Sequence, residues 1–394
     1  MIISDFFNYV IYCLKKAIFG VICVFPLKNN QIIFHSHRGA SQYSDSPMYI
    51  TEYLLKHYPG VFDVIWEVNN PDNFLFLAEK GIKTVKFGTL RNYYLLNTSK
   101  VCITNAGFAH FVERENQLRI NTWHSGFGYK SGNVLGSKAV KMHNSFQKKI
   151  REKEMNQYNV LLSSCDKTTK VKFRNVFRYH GNILECGLPR NDIMFTDSPD
   201  IKDKVYKWFN IDDKTDILLV APTWKSNDDT RNIQMSYSKI CEQLEKKTGR
   251  KWVVLLRLHH LSNVNISTIV VKNNGKVYDA TKYPDVQELL YTADMLITDY
   301  SSVIWDFALT KKPIILFMPD LSEYEEVRGF DVPVDEWGLI YVKTDEELLD
   351  VLNKYTMKEL RKLSEKHTRS FGSYENGHAT ERVVKEIVEY CRRN

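Results

Sequence analysis

Leu296-Ile297-Thr298-Asp299-Tyr300-Ser301-Ser302 is an apolar run that stops at a cluster of hydroxyls and one carboxylate just before helix-like sequence begins. A strand that hands over to a helix at Ser301 leaves the first backbone N–H groups of that helix without intrahelical partners, with the positive end of the helix dipole behind them. Such a turn is built to bind phosphate. The plainer reading is that Asp299 or Ser301 only caps the helix, as any strand–helix turn requires. The rest of the chain weighs between the two.

Working outward, apolar runs predict strands at 216–220, 252–256, 277–278, 295–298 and 314–317. An earlier set falls at 32–34, 64–66, 101–103, 122–123 and 160–162, with amphipathic helices at 48–57 and 74–80 between them. Short apolar runs alternating with helices mark βαβ units and parallel sheets. Two such sets in 394 residues, more than one compact core holds, predict an α/β chain with two facing Rossmann-like domains. The expected boundaries are a helix at 1–27, an N-terminal Rossmann-like domain at 28–200, a C-terminal one at 201–378, and a helix at 379–394 that packs back on either half. Ligands belong at the carboxyl ends of the strands, where the two halves face one another.

Composition narrows the function classes. Hydrophobic content of 43% with 26% charged residues describes a folded, enzyme-like chain and excludes disordered or fibrous ones. A net charge of +7 favours anionic partners such as phosphates or an acidic membrane surface, and is too small to imply nucleic acid. The 7 cysteines are odd in number and scattered, with neither zinc-site nor redox-motif spacing, and read as reduced intracellular thiols.

Residues 1–26, MIISDFFNYVIYCLKKAIFGVICVFP, are apolar and aromatic, but Asp5, Asn8, Lys15 and Lys16 interrupt them. A spanning helix needs about 20 nearly uninterrupted apolar residues, and a signal peptide opens with positive charge. A helix lying in the membrane interface fits better, with Phe6, Phe7, Leu14, Ile18 and Phe19 in the acyl boundary and the lysines near lipid phosphates. A buried or partner-docking helix is the alternative.

Polar clusters fall at the predicted strand ends. His124 lies in Trp123-His124-Ser125-Gly126-Phe127-Gly128-Tyr129-Lys130, where glycines admit a ligand close to the backbone and an imidazole is placed to take a proton near neutral pH. Taken alone, a single histidine there is more often structural. The second half adds Thr223 and Lys225, then Arg257 and His259, then Thr298, Asp299, Ser301 and Ser302, then Arg328. Hydroxyls, guanidinium, ammonium and imidazole are the groups that neutralise a diphosphate without a dedicated metal cage. No metal ligand set is read from the sequence, and no cofactor is assigned; a divalent cation is left open.

The ordered set WHSG, GLPRND, APTWK, RLHH, TDYSS, KKP and RGF, with the weaker Tyr43-Ser44-Asp45-Ser46-Pro47 and Glu375-Asn376-Gly377-His378-Ala379, resembles the CDP-glycerol glycerophosphotransferase family of bacteria, builders of teichoic acids and related capsule polymers. The resemblance runs over roughly residues 31–390. It implies a GT-B fold, a CDP-alditol donor, a polyol-phosphate or lipid-linked glycan acceptor, and peripheral attachment to the cytoplasmic face of the cell membrane. It implies that His124 is the base that deprotonates the acceptor hydroxyl, which attacks the β-phosphorus and expels CMP. It places His259 on the donor diphosphate with Ser301, Ser302 and Arg328. Asp299 is expected to orient the loop or an imidazole. Gly126, Lys130, Arg190, Asn191 and Asp192 are assigned to the acceptor or the hinge, with a structural part preferred for Asn191 and Asp192.

The chain departs from the family pattern in places. Ser125-Gly126-Phe127 stands where glycine-threonine-proline is usual, which touches acceptor choice, and His260 replaces a usual proline. Residues 331–337 also differ, which leaves ribitol or another polyol beside glycerol as the donor alditol. An inverting GT-B transferase of nucleotide sugars is the nearest rival, since fold and phosphate site would look alike. Many retaining members carry two glutamates eight positions apart in the donor loop, and the segment around 323–328 offers no such pair. A non-catalytic scaffold of a polymer-export complex would need neither histidine. Oligomeric state is not legible.

Overall fold

The computed structural model describes residues 10–393 apart from 12, 15–16, 37–41, 108–111, 132–151, 225–228, 260–263 and 274. Lys225 and His260 therefore lie outside the described residues. The chain divides into two compact units, one comprising the chain to Gly126, a segment ending at Asp192 and Tyr374–Asn394, the other a segment starting at Phe127 together with Ile193–Ser373.

The first unit holds a seven-stranded sheet of β1 (Lys28–His35), β2 (Asp63–Val68), β3 (Lys83–Lys86), β4 (Ser99–Thr104), β5 (Leu118–Asn121), β6 (Val160–Ser163) and β7 (Asn182–Glu185), in the order β3-β2-β1-β4-β5-β6-β7. The second holds β8 (Thr215–Val220), β9 (Lys251–Leu256), β10 (Val277–Asp279), β11 (Met295–Thr298), β12 (Ile314–Phe317) and β13 (Ile340–Val342), in the order β10-β9-β8-β11-β12-β13. Every named pairing in both sheets is parallel. Both are Rossmann-like, as expected. Central strands such as β11 and β12 are buried along their whole length, which is why they read as apolar runs, whereas the equally buried β4 shows one only at 101–103, between Lys100 and Thr104.

One expected strand is displaced. The fifth strand ends at Asn121, and residues 122–123 lie beyond it, with Trp123 turned into the left-handed region at φ 59°. Three strands escape the sequence reading, β3, β7 and β13, each three or four residues long and at a sheet edge, where one-sided burial leaves little apolar signal.

The helix Asp45–His57 packs Ile50 and Leu54 into the core of the first unit, and Val383, Val384, Ile387 and Val388 of the helix Ala379–Arg393 join the same cluster with Ile32 and Phe34. Glu67 is buried on the other face of β2, the one that carries Ile65, with His35 Nδ1 3.6 Å away, and burial pushes its carboxyl up to about 8. A carboxyl raised on folding binds its proton more tightly in the folded state, so stability is fullest at acid pH and declines as pH rises toward that value. Glu67→Gln is expected to flatten thermal stability against pH between about 5 and 8, where the parent loses on the order of 1–4 kcal/mol. Parallel slopes for the two proteins would show that another group governs this window.

Residues 1–9, with Phe6 and Phe7 of the expected interfacial helix, and Lys15 and Lys16 lie outside the described residues; the described residues from 10 to 20 are helical, and a short turn, Val21–Val24, follows. Phe19 meets the Tyr93 ring at 4.2 Å, Phe25 meets Tyr94 at 5.4 Å, and Arg114 donates to the carbonyls of Cys23 and Phe25. Ile11, Leu14, Ile18, Val21 and Val24 remain exposed. Among the described residues no helix is long and apolar enough to cross a membrane, and the cysteines are all free.

Candidate active site

In each sheet the strand order reverses beside the first strand, between β1 and β4 and between β8 and β11. Ligands of doubly wound sheets bind outside the carboxyl ends at that point, because the flanking loops run apart there. Both polar constellations lie at such a reversal in their own unit.

In the second unit β8 and β11 end side by side. Thr298 Oγ1 donates to Ala221 O at 2.6 Å, and the buried Asp299 carboxylate binds the two loops together. Its Oδ1 accepts from Thr223 N at 2.8 Å and Tyr300 N at 2.6 Å, and its Oδ2 accepts from Asn232 Nδ2 at 2.8 Å. The Asp299 carboxylate thus ties the loops after β8 and β11 together. Thr223 Oγ1 is buried and has no hydrogen-bond partner among the described residues, so a donor and acceptor stand ready beside the turn. Ser301 and Ser302 open the helix Val303–Ala308. Behind them Tyr300 stacks on Tyr324 at 3.9 Å, with Phe330 against both rings, so the turn rests on an apolar floor.

Lys130 belongs to this unit. It bridges Phe330 as an antiparallel pair, Ser131 N donates to Gly329 O at 2.9 Å, and Ser131 Oγ donates to Asp331 Oδ1 at 2.9 Å. Burial pulls the Lys130 ammonium below its ordinary range, Asp299 opposes that pull, and Arg328 adds to it. An ammonium held near a guanidinium and one committed carboxylate suits an anion better than a neutral polyol. Arg328 itself is exposed. His259 is exposed at the end of β9, its ring 5.8 Å from Trp224. Arg257 is employed differently from the expectation of phosphate contact. Its Nη1 donates to Ala280 O and Tyr283 O at 2.9 and 2.8 Å, tying the end of β9 to the segment after β10.

In the first unit His124 stands exposed beyond β5. Its Nδ1 lies 3.1 Å from Asn105 O, and since a carbonyl only accepts, Nδ1 carries the proton and Nε2 keeps its lone pair. The turn around it is pinned from several sides. Trp123 N donates to Asn121 Oδ1 at 2.8 Å, Arg190 Nη1 donates to His124 O at 2.9 Å, and Ser164 and Thr168 hydroxyls both donate to Gly126 O. The left-handed Trp123 costs roughly 1–2 kcal/mol, which these contacts offset. Ser125 Oγ is buried without a partner among the described residues.

Arg190, Asn191 and Asp192 part company. Arg190 supports the His124 turn. Asn191 Nδ2 donates to Glu375 Oε1 at 2.8 Å, and the Asp192 carboxylate accepts from Ala379 N and Thr380 N at 2.9 and 2.7 Å, capping the last helix. Sequence reasoning overlooked Asn105, although it directly follows β4, and Asn232, which lies in the short turn Arg231–Ile233 with no strand next to it in the sequence, and gave Asp45 no role. Among the described residues no cluster of three or more His, Cys, Asp or Glu side chains offers a metal site.

The chain matches the family described as CDP-glycerol:poly(glycerophosphate) glycerophosphotransferase over residues 17–389. It is 28% identical over 391 residues to the teichoic acid poly(glycerol phosphate) polymerase of Bacillus subtilis strain 168, covering 95% of this chain but 50% of that one. The chain thus spans half the length of that relative. Against the Bacillus spizizenii W23 protein of the same name it is 27% identical over 385 residues, with 95% of each covered. The teichoic acid glycerol-phosphate transferase of Staphylococcus aureus NCTC 8325 is 28% identical over 388 residues, covering 94% of this chain and 96% of that one. The solved structure of the wall teichoic acid polymerase TagF superposes with a TM-score of 0.80 at 25% identity, covering 99% of this chain and 98% of that one. The protein belongs to the CDP-glycerol:poly(glycerophosphate) glycerophosphotransferase family.

Proposed function

We propose that this protein transfers an alditol phosphate, glycerol phosphate foremost and ribitol phosphate next, from a CDP-alditol to a hydroxyl of a membrane-linked or capsular polymer. The observation that carries the chemistry is the 3.1 Å contact of His124 Nδ1 with the Asn105 carbonyl, which requires a proton on Nδ1 and makes Nε2 of the exposed ring the proton acceptor. The acceptor O–H gives its proton to Nε2 as its oxygen bonds to the β-phosphorus. The bond from that phosphorus to the bridging oxygen breaks, and CMP leaves with the bridging oxygen. Phosphoryl transfer depends chiefly on positioning and charge stabilisation. Ser301, Ser302, Thr223, His259, Arg328 and Lys130 are assigned to the donor diphosphate, with Lys225 added on sequence alone. Arg257 and Thr298 hold the loops.

Incubating the purified protein with CDP-glycerol, CDP-ribitol and UDP-sugars, with and without chelator, and identifying the released nucleotide tests this reading. CMP from a CDP-alditol is expected. UDP from a sugar nucleotide, with no CMP, would move the chain to the glycosyltransferases. His259→Ala should weaken CDP-glycerol binding about tenfold to a hundredfold in calorimetric titration, since a charge-assisted contact to phosphate is worth about 1.5–3 kcal/mol.

The exposed apolar residues of the first helix support peripheral binding at the cytoplasmic face of the membrane. Ile18→Asp with Val21→Asp should abolish co-sedimentation with phosphatidylglycerol vesicles and leave turnover of a soluble acceptor analogue intact. Undiminished sedimentation would refute the interfacial helix.

A further inference from the structure

We propose that Asp45, in the Tyr43-Ser44-Asp45-Ser46-Pro47 segment, is a positioning residue for His124. The inference rests on the reading of His124 as the base. Asp45 opens the helix Asp45–His57 in the left-handed region at φ 61°, buried at the reversal between β1 and β4. Its two carboxylate oxygens do different things. Oδ1 accepts from the N–H of the next residue, Ser46, at 2.5 Å. Oδ2 accepts from Asn105 Nδ2 at 2.8 Å and from Arg190 Nη1 at 3.0 Å.

Those two partners are the groups that hold His124. The Asn105 carbonyl receives the Nδ1 proton at 3.1 Å and so fixes the tautomer, while Arg190 Nη1 also donates to His124 O at 2.9 Å. One carboxylate oxygen therefore sets both the ring and the backbone of the base. Arg190 is buried, and a buried guanidinium that loses its carboxylate is an uncompensated charge beside the base. The Asn105 side chain, once released, no longer fixes the plane of its own carbonyl. A left-handed Asp costs roughly 1 kcal/mol or more, and here it aims one carboxylate at three donors.

The two oxygens make the roles separable. Asp45→Asn can keep a carbonyl oxygen on Ser46 N, so that local contact survives, but it turns an amide N–H toward Arg190 and Asn105. With the full-length protein, CMP-release kinetics, CDP-glycerol titration and thermal melting would be compared for Asp45→Asn, Asn105→Ala and the double variant. We expect kcat to fall about tenfold or more in each single variant, with donor Kd within about twofold and binding stoichiometry unchanged. The double variant should lose no more than the worse single one, because both act on one path. Losses that multiply, an unchanged kcat, or a stoichiometry that falls in step with kcat would each overturn the proposal. If Asp45→Asn does not fold, Arg190→Lys serves instead: it keeps the charge pair but one ammonium lacks the fork that spans Asp45 and the His124 carbonyl, and the same split between kcat and Kd is expected. An unchanged kcat in that variant likewise overturns it. Transfer that survives His124→Ala would instead sink the base reading, whatever Asp45 does.

Discussion

His124→Ala is expected to slow CMP release from CDP-glycerol in the presence of acceptor by roughly 10²- to 10⁴-fold, the range a positioned general base contributes. The donor should still bind with its parental Kd, because the imidazole acts on a proton of the acceptor and the donor ligands are assigned to the other unit. Arg190, Ser164 and Thr168 hold the backbone carbonyls of His124 and Gly126 and keep the turn in place in the variant. His124→Asn is the sharper control, since it fills the space without supplying a base. Parallel calorimetry and single-turnover kinetics decide the matter. If donor affinity collapses in His124→Ala while His259→Ala binds CDP-glycerol normally, the two histidines have been given each other's work.

The second large effect is on stability and concerns His367. It is fully buried, its Nδ1–H donates to Trp337 O at 2.6 Å, and its Nε2 accepts from Tyr129 O–H at 2.6 Å. Phe371, Trp305 and Trp337 surround the imidazole and the Tyr129 phenol. Removing the ring leaves a buried hydroxyl and a buried carbonyl without partners and opens a cavity in an aromatic cluster. His367→Ala is expected to cost about 3–5 kcal/mol, the sum of a large-to-small cavity and an unsatisfied polar pair. His367→Leu, which refills most of the volume, should recover part of that and still lack both hydrogen bonds. Urea unfolding of the three proteins measures the difference. Equal midpoints for His367→Ala and the parent would mean the cluster relaxes around the gap.

Much of this architecture was legible because central parallel strands are buried on both faces and so advertise themselves as apolar runs. The segment 296–302 reads correctly as strand and turn for that reason, although the helix starts at Val303, two residues beyond the expected Ser301. Edge strands β3 and β7 carry Lys83, Lys86, Asn182 and Glu185, and their polar residues hide them. The end of β5 was misplaced because Trp123 looks like a strand residue. Its left-handed backbone is held by Asn121 two residues before it and, through the His124 carbonyl, by the distant Arg190, and the second contact is one that no local pattern records. The polar strand ends could be listed from sequence, but their division of labour could not. Arg257 and Arg328 are both arginines in basic motifs, yet one is spent on backbone carbonyls and the other is exposed. Lys130 could not be allotted to a unit from sequence, because chain proximity to His124 suggests the first and packing places it in the second.

The helix Ala379–Arg393 supplies Val383, Val384, Ile387 and Val388 to a cluster otherwise built before residue 190, and Asp192 caps its first turn. A ribosome making this chain therefore emits the first sheet long before the helix that covers it. The second sheet, whose strands run from Thr215 to Val342, is complete by then. During synthesis the amino-terminal half must wait with an apolar face uncovered while the later half is already able to close, an inversion of the usual first-made, first-folded order. A stop codon near Ala379 would accordingly damage the half of the protein translated earliest.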